Sequence, residues 1–408
     1  MLQKYSRGLF LFSFLLFIFS AIYGLVLRWN FAFPSNIISY KNLVQGHSHV
    51  AFLGWGYLAT IGAIFNYFIP KENLIRRVYS ITLAISVISI TLMLFSFLLS
   101  GYKAFSIALL SVFGITTYVL SFQLLKDIKG EDVSTKFIRF GIYYYLISSL
   151  ATWFLAFVIV TQGKTELYYN TVYFYLHFLY NGFFVFCLFG ILFKILKKQS
   201  IELSIKNQKY FFIFLNIACI PAYFLSVLWS TDQVIFNVIG LLSAILQLIA
   251  MWYLIKILIS TFRLITWDLV AKYLLSYAMI AFSFKIIAQL LSSFPYFVKK
   301  SIALKPYFII GYLHLFTLAF MSVTLLLILK QANVFNFKSL FAKIGLNLFL
   351  VGILLSEILL FSQGGTFLIG ISAITYFHIF MLIFSFFIVL GLILIFVNQL
   401  KLLYNNVK

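Results

Sequence analysis

The feature that most constrains this chain is a succession of long apolar stretches separated by short polar connectors. A membrane-crossing helix needs about 20 mostly apolar residues. Twelve stretches meet that need, near 8–28, 46–69, 75–99, 104–125, 137–161, 170–196, 210–229, 233–258, 268–291, 306–330, 340–361 and 372–398. They leave no room for a soluble domain. The expected fold is all-α: a polytopic integral membrane protein whose residues 1–408 form a single transmembrane helical domain. The first stretch is longer than a signal-peptide core and lacks a small-residue cleavage site, so it reads as a retained helix. No linker, low-complexity block or clear internal repeat is visible.

A formal charge of +21 would suggest a nucleic-acid partner, but the chain is 63% hydrophobic and only 10% charged. That balance excludes a soluble globule and a nucleic-acid binder. The lipid bilayer is the expected partner. The positions of the basic residues then become a topology signal, because lysine and arginine collect on the cytoplasmic side. The termini and the connectors that follow even-numbered spans hold 21 of the 30, including Lys4 and Lys408. The opposite side holds 7: Arg28, Lys41, Lys103, Lys164, Lys299, Lys300 and Lys305. Both termini are therefore expected in the cytoplasm, with a bacterial inner membrane as the location.

The chain has only five histidines, and they carry most of the functional information. His47 and His49 fall in the first turn of span two, His177 in span six, His314 in span ten and His378 in span twelve. All four spans run from outside to inside, so all five histidines are expected in the outer half of the bilayer. An ionisable residue at membrane depth is a functional candidate, because burying it is costly. Imidazole is also the usual ligand of haem iron, copper and zinc. The competing reading is a histidine that bonds a carbonyl or hydroxyl on a neighbouring helix. That reading has about equal weight for His47 and His378, and less for His49, His177 and His314.

Spacing refines the picture. Residues two apart on a helix point about 200° away from each other, so His47 and His49 face different neighbours. Gly54 and Gly56 follow each of them by seven residues, and serve either the close approach of a flat macrocycle or that of another helix. Asn181 lies one turn after His177, with Tyr180 beside it. Asn181 fixes a tautomer, bonds a ligand, or bonds a facing helix. Thr317 lies one turn after His314.

Among nine acidic residues, Asp232 and Asp268 stand where helices begin and read as caps. Glu357 alone falls inside a span, at a depth similar to that of Lys285. Those two pair with each other, or Lys285 snorkels outward, or it neutralises a haem propionate. Trp55, Trp153 and Trp229 read as an interface belt rather than as cofactor walls. The two cysteines, Cys187 and Cys219, give neither a disulfide framework nor a zinc pattern.

Twelve spans with outer-half histidines on spans two, six and ten resemble the catalytic subunit (subunit I) of the haem-copper oxidase superfamily. That superfamily includes nitric oxide reductases and NnrS-like membrane haem proteins. The stretch His177-Phe-Leu-Tyr-Asn181-Gly182 is similar to the His-x-x-x-Glu-Gly of nitric oxide reductases, with Asn in place of Glu. The resemblance implies an oxidase-like bundle that binds haem, of b type, with copper or iron at a second metal. It makes His47 or His49 and His314 the haem ligands, and His177, with His378, the lining of the second site. It implies an oxidoreductase in electron transfer or nitric oxide or oxygen handling, with an electron-donor protein or a quinol as partner. Span seven has no histidine and span ten has one rather than two, so the copper site is expected to be degenerate. The rival expectation is a transporter or channel with a histidine-lined polar layer, weakly disfavoured because only Pro221 lies well inside a span.

Overall fold

The computed structural model describes residues 2–34 and 39–405. Lys408 of the charge count lies outside the described residues, as do the side chains of Lys4 and Lys305. All regular structure among the described residues is helical. Twelve helices are long and apolar enough to cross a membrane: Arg7–Ala32, Tyr40–Phe68, Arg77–Ser100, Ala104–Asp127, Val133–Thr161, Glu166–Lys198, Ile205–Ser230, Val234–Leu264, Leu269–Ser292, Pro306–Gln331, Leu340–Leu368 and Phe377–Leu402. The chain is a multi-pass membrane protein.

Two boundary shifts matter for function. The second span starts at Tyr40 rather than near residue 46, because Leu43 buries itself and carries the helix back through a polar segment. His47 and His49 thus sit two turns inside the helix, not in its first turn. The twelfth span starts later than expected, at Phe377. Ile374 donates its backbone N–H to Gln363 Oε1 at 2.8 Å and Tyr376 takes φ +58°, which holds the connector out of the helix. His378 is therefore the second residue of its span rather than two turns deep.

Asp268 caps the ninth span as expected, accepting from the Ala271 N–H at 2.9 Å. Asp232 does not act as a cap: Gln233 holds the N-cap position and bonds Thr231 Oγ1 at 3.2 Å.

The chain divides into two compact units, residues 1–127 with 325–408, and residues 128–324. In the first unit, spans eleven and twelve touch backbone to backbone. A Cβ on Gly345 would lie 2.8 Å from the Gly391 carbonyl, so only glycine permits the contact. Spans three and four are pinned by Asp127, which accepts from Arg76 Nη1 at 2.8 Å, Tyr79 Oη at 2.8 Å and Gln123 Nε2 at 2.9 Å. Trp55 is fully buried and stacks on Phe17 at 4.9 Å and 3°, so it belongs to this unit's core and not to an interface belt. Trp153 is 42% exposed and keeps the belt reading.

The second unit is built on phenylalanine. Phe189 touches Phe211 at 4.8 Å and Phe282 at 5.0 Å, and Phe282 touches Phe320 at 4.9 Å. These edge and tilted contacts join spans six, seven, nine and ten.

Spans two, six and ten stand apart from the rest. In their most apolar windows 78, 89 and 78% of residues are buried, against 28–50% in the other nine. These same three also break from α-helix to π-helix: Val50–Tyr57, Phe178–Phe184 and Leu315–Ser322. A π turn holds one extra residue, widens the helix and rotates everything beyond it. Each π segment begins directly after a histidine: His49, His177 and His314. Five residues after those histidines stand Gly54, Gly182 and Ala319. The three spans thus share one local pattern, a histidine, a π segment and a small residue. It was hidden because its only shared letters are a histidine and a small residue.

Candidate functional site

In the first unit, the His47 imidazole lies against the first span. Its Nδ1–H donates to the Ser20 carbonyl at 2.8 Å, and the Ser20 hydroxyl donates to the His47 carbonyl at 3.0 Å. The ring is laid over Gly24, where a Cβ would come within 3.1 Å of Cε1. This fixes both tautomer and ring plane, and Nε2 has no hydrogen-bond partner among the described residues. A ligating histidine is held in this way, with one nitrogen tied to a carbonyl and the other presented.

His49 turns to the other side, as the spacing predicted. Its Nδ1–H donates to the Gln45 carbonyl one turn back at 2.9 Å, and its ring stacks on Phe97 at 4.3 Å. Its Nε2 accepts from the Tyr102 hydroxyl at 2.9 Å. Gly54 is explained by packing, since a Cβ there would lie 3.0 Å from Leu16. Of the two uses open to it, helix approach is the one this geometry fills.

Arg28, which the sequence offered only as a counted charge, joins this region. The half-buried guanidinium interacts electrostatically with Tyr40 and Glu357, and also with His47 and His378. Glu357 is 6% exposed, and its electrostatic partner is Arg28. His378 is exposed at the start of its span and stacks on Phe31 at 5.5 Å and 9°. One arginine therefore has three predicted site residues within its electrostatic reach.

In the second unit, His177 is 2% exposed and both ring nitrogens are engaged. Nε2–H donates to the Cys219 carbonyl at 2.8 Å, and Asn181 Nδ2 donates to Nδ1 at 3.2 Å. Asn181 thus fixes the tautomer, one of the three roles expected for it. The reason the Cys219 carbonyl is available lies in span seven. Pro221 interrupts that helix after Cys219. Tyr223 N–H, which an unbroken helix would give to Cys219, instead bonds the Ile220 carbonyl at 3.1 Å. His177 supplies the donor that the break removed.

Lys285 is 1% exposed and does not snorkel. Its Nζ stands 5.6 Å from the centre of the Phe282 ring and interacts electrostatically with His177 and Cys219. The electrostatic neighbours of Lys285 thus belong to its own unit. Tyr180 stacks on Phe316 at 5.1 Å. His314 is half-buried at the start of its π segment, and the Thr317 hydroxyl donates to the Leu313 carbonyl at 2.8 Å on its own helix.

Sequence reasoning missed Ser20, Gly24, Tyr102, Arg28 and Cys219 as partners of the histidines. Aligning His49, His177 and His314 would have exposed the shared pattern. Among the described residues, no three His, Cys, Asp or Glu side chains gather in one group. Compared with models of known protein families and with curated proteins, the chain matches none.

Proposed function

We propose that this chain is a membrane haem or metal protein related to haem-copper oxidase subunit I, acting in electron transfer or in nitric oxide or oxygen handling. The observation that carries this reading is the repeat of a histidine at the start of a π turn in three buried spans. Local π geometry inside α-helices collects at functional sites, where it re-aims a side chain at the cost of a helical hydrogen bond.

His47 fits a haem or metal best, because its Nδ1 is tied to a carbonyl and its Nε2 is unengaged. His49 fits once the Tyr102 hydroxyl yields, and His314 is a haem ligand only as the resemblance to the superfamily implies. His177 joins as a ligand only by releasing the Cys219 carbonyl, so its first role is to hold the broken seventh span. His378 and Arg28 supply an outer polar rim. A bound haem would contribute redox chemistry at iron. The chain's own residues orient imidazoles, exclude water and place the Arg28 charge beside Glu357. With two cysteines at positions 187 and 219, the sequence holds no paired-cysteine motif for covalent haem attachment, and the b type is what the resemblance implies. The reading includes cytoplasmic termini, a bacterial inner membrane, and a quinol or donor protein as electron source.

The test is an absorption spectrum of the purified full chain, oxidised and reduced, with iron, copper and zinc analysis. A Soret band that shifts on reduction supports the reading. Protein free of pigment and of all three metals overturns it.

One observation favours the rival transporter reading. The seventh span is broken at Pro221, and broken helices line substrate sites in many transporters. That reading predicts colourless protein and solute flux in vesicles that is lost when Pro221 is replaced by alanine.

A further inference from the structure

The interior of the second unit contains a buried lysine with no acidic side chain of that unit beside it. Lys285 is 1% exposed. The acidic residues of that unit are Glu131, Asp132, Glu166, Glu202, Asp232 and Asp268, and each stands at a helix start or in a connector. No Asp or Glu lies deeper in any of its spans. Lys285 Nζ makes no hydrogen bond among the described residues. Its neighbours are the Phe282 ring, the Cys219 side chain and His177, whose Nε2–H is already donated to a carbonyl. None of these balances an ammonium group.

A second polar atom of the cluster is also unsatisfied. Asn181 Oδ1 is buried without a hydrogen-bond partner, while its Nδ2 bonds His177 and the Tyr312 side chain lies beside the amide. Unmet acceptors and donors of this kind are rare in a folded interior and mark places that a ligand or water completes. An isolated ammonium in an apolar interior is far costlier than an unmet amide, so a lysine placed there either gives up its proton or is completed by an anion. The complement of a buried ammonium is an anionic group, and the complement of the free amide oxygen is a hydrogen-bond donor such as a water that hydrates it.

We propose that Lys285 is the recognition cation of an anion-binding site inside the second unit, taking a carboxylate or a small inorganic anion. The shared chemistry has two sources, a free anion or the carboxylate of a bound prosthetic group; only the second rests on the haem reading.

Full-length protein in dodecyl maltoside is titrated with sodium formate and with sodium nitrate, and the thermal midpoint is followed for wild type, Lys285→Met, Lys285→Gln and Lys285→Arg. General salt effects act on all four alike, so the difference isolates the lysine. A free anion raises the wild-type and Lys285→Arg midpoints by about 3 °C at a hundredfold excess over the dissociation constant, and leaves both uncharged variants behind. A prosthetic carboxylate gives no titration difference, but the uncharged variants lose about tenfold in pigment per protein. Superimposed titrations with equal pigment overturn the proposal and leave the haem reading intact. A colourless wild type with a lysine-dependent response does the reverse.

Discussion

The histidines of span two and the histidine of span six share a local device and use it differently. Each group leads into a π segment with a glycine five residues after the last histidine. In span two, both rings give Nδ1–H to a carbonyl and turn Nε2 outward, with His47 unengaged and His49 at a tyrosine hydroxyl. In span six, both nitrogens of His177 are spent inside the protein, one on Asn181 and one on Cys219. The cause of the difference is next door. Span seven is broken by Pro221 and offers an orphan carbonyl, whereas the first span is unbroken beside His47. Presenting a nitrogen and repairing a helix are thus two outcomes of one arrangement, chosen by the neighbour.

The largest expected effect follows from that contrast. His47→Ala removes a buried-span imidazole held by a carbonyl at Nδ1 with Nε2 unengaged among the described residues, and pigment or metal per protein falls at least about tenfold, on the scale of losing a metal-site support or more. His177→Ala retains most of it. Soret absorbance and metal content of the two variants, purified in parallel, decide the matter. If His177→Ala bleaches the protein while His47→Ala does not, the assignment of roles is inverted.

The glycines sharpen the same comparison in stability. A Cβ at Gly182 would collide with Tyr144 Cβ and Cγ, atoms close to the backbone that have little freedom to move. At Gly54 the nearest atom is Leu16 Cδ1 at 3.0 Å, with Cβ at 3.1 Å, and the leucine yields by a few tenths of an ångström. Gly182→Ala is expected to cost about 1–3 kcal/mol by overpacking, and Gly54→Ala less than about 1 kcal/mol. Thermal midpoints of the two variants in one detergent measure the gap, and equal losses would deny that the two π segments are packed differently.

Much of the fold was legible in the sequence because lipid imposes length and hydropathy on every span. All twelve spans follow from those two quantities. The opposed directions of His47 and His49 followed from helical geometry alone, as did the Asp268 cap. What stayed hidden was set by neighbours distant in sequence. Nothing in the local string says that Ser20 holds His47, or that Pro221 exposes a carbonyl for His177. The start of the twelfth span was misread because Ile371 to Tyr376 is apolar enough to look helical, while Gln363 holds that segment in another conformation. The π segments were invisible since π and α turns share the same residue preferences.

The role of His177 carries its own energetic test. His177→Ala leaves the Cys219 carbonyl buried without a donor, a loss of about 1–3 kcal/mol. Pro221→Ala restores an N–H at 221 and permits the seventh span to close, so that Tyr223 N–H returns to Cys219. In that background His177→Ala costs less, and the two substitutions couple by about 0.5–2 kcal/mol. Strict additivity would show that the histidine and the break do not answer each other.

The smallest effect calibrates the scale for a group whose role in the same unit is structural alone. Asp132 caps the fifth span, accepting from Thr135 N at 2.9 Å, Ser134 Oγ at 2.9 Å and Lys197 Nζ at 2.8 Å. Burial pushes its carboxyl up, but the hydrogen bonds from Lys197, Thr135 and Ser134 outweigh that and hold it well below the usual carboxylate range. Asp132→Ala is expected to cost about 1 kcal/mol at neutral pH, the ordinary worth of an N-cap. A carboxyl lowered on folding stabilises fully above its unfolded value, near 4, and loses that contribution as pH falls toward its folded value. The gap between wild type and Asp132→Ala is therefore flat from about pH 6 to 8 and narrows on acidification below about pH 4.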